Sequence, residues 1–415
     1  MTGSSYLLTA NSNQTLIIDS GLFQESFRLE NLNTQPFTAD IRTVSGVLLT
    51  HAHLDHCGRL PLLLKQGFNG PIYMTAPTKE ITEISLLDSA KVAHHEHKDL
   101  YDENLVRETV KLFQVVNYGQ PFSLGEFQIV YRNAGHILGS ASIEISADNQ
   151  KIVFSGDLGN SPEDLIPPTE KISWANAAVM ETTYGDRLHP KDEPIAILQS
   201  EVNTVEETSG TLLIPAFSIE RSQEILHLIS QLKGAGKIKA ATPIIFDSPM
   251  AEKVTAVFEK YLNSPGLFTF PGLFIGKNHP EGSGPKVILA GSGMMTGGKI
   301  LDYARQYLPF ATTRLLFVGY QANETLGRKI LDGAQNISIE KTPLTINAAV
   351  NEIQSLSSHA DQKQLLNWLG AINGLKKVFL THGEDPARKT MAENIKNLFP
   401  QIETFQPTLN QEYNL

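Results

Sequence analysis

Residues 51–56 read His-Ala-His-Leu-Asp-His, directly after the apolar run Val47-Leu48-Leu49-Thr50. A buried strand would hold that run rigid, so the histidine-rich segment is expected to leave its end as a loop. Imidazole nitrogen and carboxylate oxygen are donors that zinc accepts in catalytic sites. Six residues do not readily wrap one ion with four donors. Alternate positions of an extended chain point to opposite sides, so His51 and His53 can share one ion while Asp55 and His56 reach another. The segment predicts two metals, with the remaining donors far away in the sequence.

Four distant candidates answer that expectation. Asp19 ends the run Leu16-Ile17-Ile18, and His136 follows the strand pattern of Phe127, Ile129 and Tyr131. Asp157 sits in a glycine turn after Ile152-Val153-Phe154, and His382 ends Val378-Phe379-Leu380-Thr381. Each follows a short apolar or β-branched run, the usual way a rigid scaffold presents site residues. His94, His95 and His97 around Glu96 only imitate such a cluster. Successive helical positions splay apart, so they read as a solvated helix end.

The texture of the chain changes twice. Residues 1–186 read as short strands with His- or Asp-bearing turns, interleaved with helical stretches such as 77–98. Residues 187–345 alternate helix and strand, which argues for a mainly parallel sheet covered on both faces. From 346 to 415 the site-bearing texture returns, with a helix at 361–371, a strand at 376–380 and a helix near 386–398. The alternating unit is thus an insert in a discontinuous first domain. Within it, residues 264–285 are rich in Gly, Pro and Ser and read as a loop.

Asp19, the 51–56 segment, His136 and Asp157 together resemble the metallo-β-lactamase fold. Glu-Thr-Thr-Tyr-Gly-Asp at 181–186, Ser-Ser-His-Ala-Asp at 357–361 and Thr-His-Gly-Glu at 381–384 resemble the three extra motifs of the β-CASP nucleases. Asp-Ser-Pro-Met-Ala at 247–251 and Gly-Ser-Gly-Met-Met-Thr-Gly-Gly at 291–298 agree with that family. The resemblance covers nearly the whole chain and is closest to RNA nucleases related to the pre-mRNA 3′-end cleavage subunit. It implies a metallo-β-lactamase αββα sandwich with an inserted α/β β-CASP domain, whose mainly parallel sheet is flanked by helices.

The resemblance also implies roles. His51, His53 and His136 would hold one zinc, Asp55, His56 and His382 the other, and Asp157 would bridge the pair. Asp19 would orient a ligand from behind. The implied catalytic set is Asp55, His359 and Glu181, with His359 as general acid and Glu181 on its other ring nitrogen. The implied activity is hydrolysis of single-stranded RNA by a hydroxide between two Zn(2+) ions, cleaving internally to leave a 5′ phosphate and a 3′ hydroxyl. A 5′–3′ exoribonuclease, a DNA nuclease and a non-catalytic RNA-processing partner are the rivals. The DNA-repair branch typically carries an aliphatic residue where this chain has His382, which favours RNA.

The formal charge of −10 over 415 residues is unusual for a nucleic-acid enzyme. It requires positive charge gathered near the site, and Arg187, Arg221, Lys299, Arg305, Arg328 and Lys363 lie in or near the motifs. Arg187, Arg221, Ser292 and Arg328 are the expected substrate contacts. Glu220 stands where relatives tend to carry glycine, and a carboxylate there is expected to weaken phosphate binding. The single cysteine, Cys57, forms no internal disulfide, and no Lys or Arg precedes Arg28, so a cytoplasmic protein without a leader is expected. No membrane partner is expected; a homodimer is the assembly considered.

Overall fold

The computed structural model describes residues 3–24, 27–95, 100–160, 165–276 and 284–415. The chain divides into two units, Met1–Leu188 with Ser358–Leu415, and His189–Ser357.

In the first unit, β1 (Tyr6–Thr9), β2 (Thr15–Ile18), β3 (Gly46–Leu48), β4 (Ile72–Thr75) and β5 (Phe113–Val116) form a sheet in that order. Only the β1–β2 pair is antiparallel. β6 (Phe122–Leu124), β7 (Phe127–Asn133), β8 (Ala141–Ala147) and β9 (Gln150–Phe154) form an antiparallel run, and β10 (Ala177–Glu181) joins parallel to β9. The two-residue period of strands decides the layers. Ile152, Phe154, Ala177 and Val179 share a core with Leu16, Ile18 and Leu48 of the other sheet. Val153, Ala178 and Met180 point the opposite way, onto the helices Gln362–Gly370 and Asp385–Leu398. The outer face of the first sheet packs on helices through Leu60, Leu63, Leu86, Ala90 and Val106. This is the expected αββα order.

In the second unit, β11 (Thr211–Pro215), β12 (Ile244–Asp247), β13 (Leu273–Ile275), β14 (Lys286–Ala290) and β15 (Thr313–Phe317) are followed by a hairpin of β16 (Asn336–Ile339) and β17 (Thr342–Thr345), then by β18 (Ala349–Glu352). The sheet runs β13-β12-β14-β11-β15-β18 and is parallel throughout. β11, β12 and β14 are buried along their whole length, the pattern of a parallel sheet covered on both faces. Two details differ from the sequence reading. The stretch read as a loop over 264–285 carries edge strand β13, although 277–283 lie outside the described residues. β18 pairs with β15, which carries this unit to Ser357 instead of 345.

The chain then returns to the first unit. β19 (Lys377–Thr381) runs parallel to β10 in the register Ala177↔Lys377 to Glu181↔Thr381, and β20 (Glu403–Phe405) borders β19. That register sets the ends of β10 and β19 side by side. Among the described residues, no helix is long and apolar enough to cross a membrane.

Candidate metal centre

The candidate donors leave strand ends through backbone shapes the sequence supports. Asp19 follows β2 at φ +57°, and His382 follows β19 at φ +47°, so both turn sharply off their strands. After β9, Gly156 at φ +58° supplies the same turn without a side-chain clash and sets Asp157 at the site. Backbone bonds from Ser20 to His56 (2.7 Å) and from Leu22 to Leu54 (2.8 Å) stitch the loop after β2 to the histidine segment. Only glycine fits at position 21, because a Cβ there would lie 1.6 Å from the Asp55 carbonyl oxygen. His53 precedes a single helical turn, Leu54–Cys57, that carries Asp55 and His56. On the far side, Ala360 donates to Leu158 (2.7 Å) and Asn160 to Ser358 (3.1 Å), which pins His359 beside the turn after Asp157.

Two donor groups result. In the first, His51 Nε2 and His136 Nε2 lie 3.2 and 3.1 Å from His53 Nδ1. Asp157 Oδ2 stands 3.5 Å from His51 Nε2 and 3.7 Å from His136 Nε2. In the second, His382 Nε2 is 3.2 Å from Asp55 Oδ2, while Asp157 Oδ1 lies 3.3 Å from both His56 Nε2 and His382 Nδ1. One carboxylate therefore offers one oxygen to each group.

These residues fit bound cations. The ring proton of His136 sits on Nδ1, facing the Ser358 carbonyl at 3.0 Å, which leaves its Nε2 bare toward the other nitrogens. Nitrogen converging on nitrogen gives at most one hydrogen bond among three atoms. His56 Nε2 and Asp157 Oδ1 are buried and face each other at 3.3 Å without a well-formed hydrogen bond. Such atoms cost free energy unless something positive sits between them.

Electrostatics agree for the first donor group. Burial holds His51 and His136 well below the usual imidazole range and brings His53 down to about 4, so all three are neutral at pH 7, as ligands must be. Burial also pushes His56 down, but the carboxylates of Asp157 and Asp19 outweigh it and hold its pKa well above the ordinary value. Burial pushes Asp157 up, yet His382 and His56 keep it well below the carboxylate range.

Glu181 and His359 form a separate pair. Glu181 is 1% exposed, and its oxygens accept from Leu158 N (2.6 Å) and Thr183 N (3.2 Å). Oε1 also faces His359 Nδ1 at 3.3 Å. The His359 ring sits 4.5 Å from that of His136 and 6.0 Å from that of His382, measured between centroids. Burial lowers its pKa, but Glu181, then Asp157 and Asp55, more than reverse this and raise it to about 9.

The other expected residues are placed differently. Asp19 lies behind the donors, 2.7 Å from His56 Nδ1. Arg187 pairs with Asp186, Arg328 with Asp332, Lys299 with Asp302, and Arg305 with Asp302 and Glu340. Arg221 is buried against Glu224 and presents no exposed charge. The Ser292 hydroxyl accepts from Thr296 N and Gly297 N, closing its own glycine-rich turn. Glu220 is 2% exposed at φ +66°, ψ −60°, with Arg221 N bonded to the Ile219 carbonyl at 2.9 Å. That is a γ-turn glycine adopts without strain, which gives a backbone reason for glycine there. Glu96 and His97 lie outside the described residues, and the helix before them ends at His95. Two residues had gone unremarked. Thr50 touches both Asp19 and His51, and Thr183 Oγ1 lies 3.2 Å from His382 Nδ1. Thr50 adjoins His51 and Thr183 lies two residues from Glu181, which was the available signal.

Residues 1–196 match the Metallo-beta-lactamase superfamily, residues 222–330 the Beta-Casp domain, and residues 343–407 the Zn-dependent metallo-hydrolase RNA specificity domain. The chain is 35% identical over 405 residues to Ribonuclease TTHA0252 of Thermus thermophilus, spanning 93% of this chain and 91% of that one. It is 31% identical over 427 residues to RNase aCSPSF2 of Saccharolobus solfataricus, spanning 100% and 83%. It is 28% identical over 440 residues to Transcription termination factor FttA of Methanocaldococcus jannaschii, spanning 98% and 68%. A solved Enterococcus faecalis protein of unknown function shares the fold, with a TM-score of 0.57 at 13% identity over 99% of this chain and 96% of that one. With the donor groups at the strand ends, these matches establish that the chain belongs to the β-CASP family of the metallo-β-lactamase superfamily.

Proposed function

We propose that this protein is a zinc-dependent ribonuclease that cleaves single-stranded RNA internally, leaving a 5′ phosphate and a 3′ hydroxyl. The observation that carries the reading is Asp157, whose two oxygens face two separate donor groups within 3.3–3.7 Å. The names of the two ribonuclease relatives and the match to an RNA specificity domain favour RNA as substrate.

His51, His53 and His136 would hold one zinc and Asp55, His56 and His382 the second, with Asp157 placed to contribute an oxygen to each group. Bound there, the cations would supply Lewis acidity, the chemistry that makes water a nucleophile at neutral pH and neutralises phosphate charge. The protein's own part is proton supply. Glu181, fixed by two backbone N–H groups, occupies His359 Nδ1 and leaves the Nε2 proton for the departing 3′ oxygen. With a pKa of about 9, His359 carries that proton at pH 7.

The test uses single-stranded RNA labelled at either end, in 5′-triphosphate and 5′-monophosphate forms, with DNA of the same sequence alongside. Internal fragments that form equally from both RNA forms, and not from DNA, are expected. Stepwise loss of the 5′ label that depends on the 5′ group would replace the internal reading with an exonuclease. Cleavage of DNA alone would overturn the choice of RNA.

A further inference from the structure

Behind the two donor groups lies a buried pair, Asp19 and Thr50, each 1% exposed. Asp19 Oδ1 accepts from Thr50 N at 2.7 Å, and its Oδ2 accepts from Thr50 Oγ1 at 2.8 Å. The same Oδ2 lies 2.7 Å from His56 Nδ1, and Thr50 Oγ1 lies 3.0 Å from His51 Nδ1. His51 and His56 are 0% and 2% exposed, so no solvent competes for these contacts.

A hydroxyl has one proton to give. An ionised carboxylate is a stronger acceptor than a neutral ring nitrogen, so the Thr50 proton goes to Asp19. Thr50 Oγ1 can then only accept from His51, which places the His51 proton on Nδ1 and bares Nε2 toward His53 and Asp157. Asp19 has no proton to offer His56, so His56 Nδ1 donates, which turns its Nε2 toward Asp157 Oδ1 at 3.3 Å. The chain runs from His51 Nδ1–H to Thr50 Oγ1–H to Asp19 Oδ2, which also accepts from His56 Nδ1–H.

We propose that Thr50 is a positioning residue that sets the His51 tautomer directly and, through Asp19, steadies His56, so that one hydroxyl supports a ligand in each donor group. The inference rests on the metal-dependent reading above. Without the hydroxyl, the His51 proton has no acceptor at Nδ1 and moves to Nε2, where it blocks the lone pair. Asp19 also loses one of the two donors that hold its position over His56.

Thr50→Val suits the test because it keeps the branched shape. The site is tight, since a Cβ on Gly156 would lie 2.9 Å from the Thr50 Cβ. Zinc affinity of both sites is read by chelator competition on the zinc-loaded protein. Thr50→Val is expected to weaken both sites by about 10- to 100-fold, the usual effect of removing a ligand's supporting partner. Thr50→Ser should restore both. Thr183→Val, which removes a hydroxyl touching His382 alone, should leave the site of His51, His53 and His136 unchanged. Unaltered affinity in Thr50→Val, or equal weakness in Thr50→Ser, would overturn the inference. Should Thr50→Val not fold, imidazole nitrogen NMR of the zinc-loaded wild type decides instead. Protons on Nδ1 of both His51 and His56 support the inference, and a proton on His51 Nε2 overturns it. A wild type that takes up no zinc would defeat the metal-dependent reading itself, a different result from any of these.

Discussion

Two buried polar clusters in this chain solve the same problem in opposite ways. In the second unit, Glu201 is 3% exposed and is met by complementary groups: Arg314 Nη2 at 2.7 Å and Asn351 Nδ2 at 3.0 Å. Donors meet acceptors, and the cluster is complete. In the first unit, ring nitrogens face ring nitrogens, and buried His56 Nε2 and Asp157 Oδ1 stand 3.3 Å apart without a well-formed hydrogen bond. A fold tolerates such a set when a cation completes it. Completeness, more than burial or charge, separates the structural cluster from the functional one.

The sharpest way to break the contrast is Asp157→Ala, which removes the shared carboxylate. Zinc content is expected to fall at both sites and RNA cleavage by more than about 10³-fold. Metal analysis beside an RNA cleavage assay checks it, and retention of two ions would show that the groups do not depend on Asp157. Next comes His359→Ala, which should keep its zinc while cleavage drops about 10²- to 10⁴-fold. Cleavage near the wild-type rate would remove His359 from the proposed chemistry. In the complete cluster, Glu201→Ala should cost about 3 kcal/mol in urea unfolding, because Arg314 loses its partner, with zinc content unchanged.

Acid provides a milder probe of the metal-free protein. His51, His53 and His136 have lowered pKa values in the fold, so below about pH 6.5 the unfolded chain binds protons that the native state refuses. Stability should therefore fall from about pH 6.5 toward 4, by up to about 1.4 kcal/mol per pH unit for each group. His56 acts in the opposite sense. Its raised pKa gives stability that is full below about 6.5 and is lost as pH climbs through the folded value. Melting curves across pH 4–8 without zinc test this, and a flat profile would contradict it. The smallest effect is Glu220→Gly, which should raise stability by about 1 kcal/mol by relieving the strained γ-turn.

Much of this was legible in the sequence, for identifiable reasons. An apolar run followed by His or Asp marks a strand delivering a side chain, and β2, β3, β9 and β19 each read that way. β13 and β18 did not. Leu273–Ile275 is three residues long beside Gly272 and Gly276, and Ala349–Glu352 is a largely exposed edge with no apolar alternation. The pairing of the candidate cations could have been read. Arg221–Glu224, Lys299–Asp302 and Arg328–Asp332 are three or four residues apart on helices, where opposite charges meet. The backbone reason for glycine at position 220 is a positive φ, which no composition pattern reveals.

The pairing of β10 with β19 joins residues 177–181 to 377–381. During synthesis from the N-terminus, the early part of the first unit emerges long before its last donor. A nascent chain that has not yet reached His382 has every upstream donor and no finished centre. Hydrolytic capacity would thus be withheld until His382 itself has been made, with the order of the genetic message acting as the safety catch.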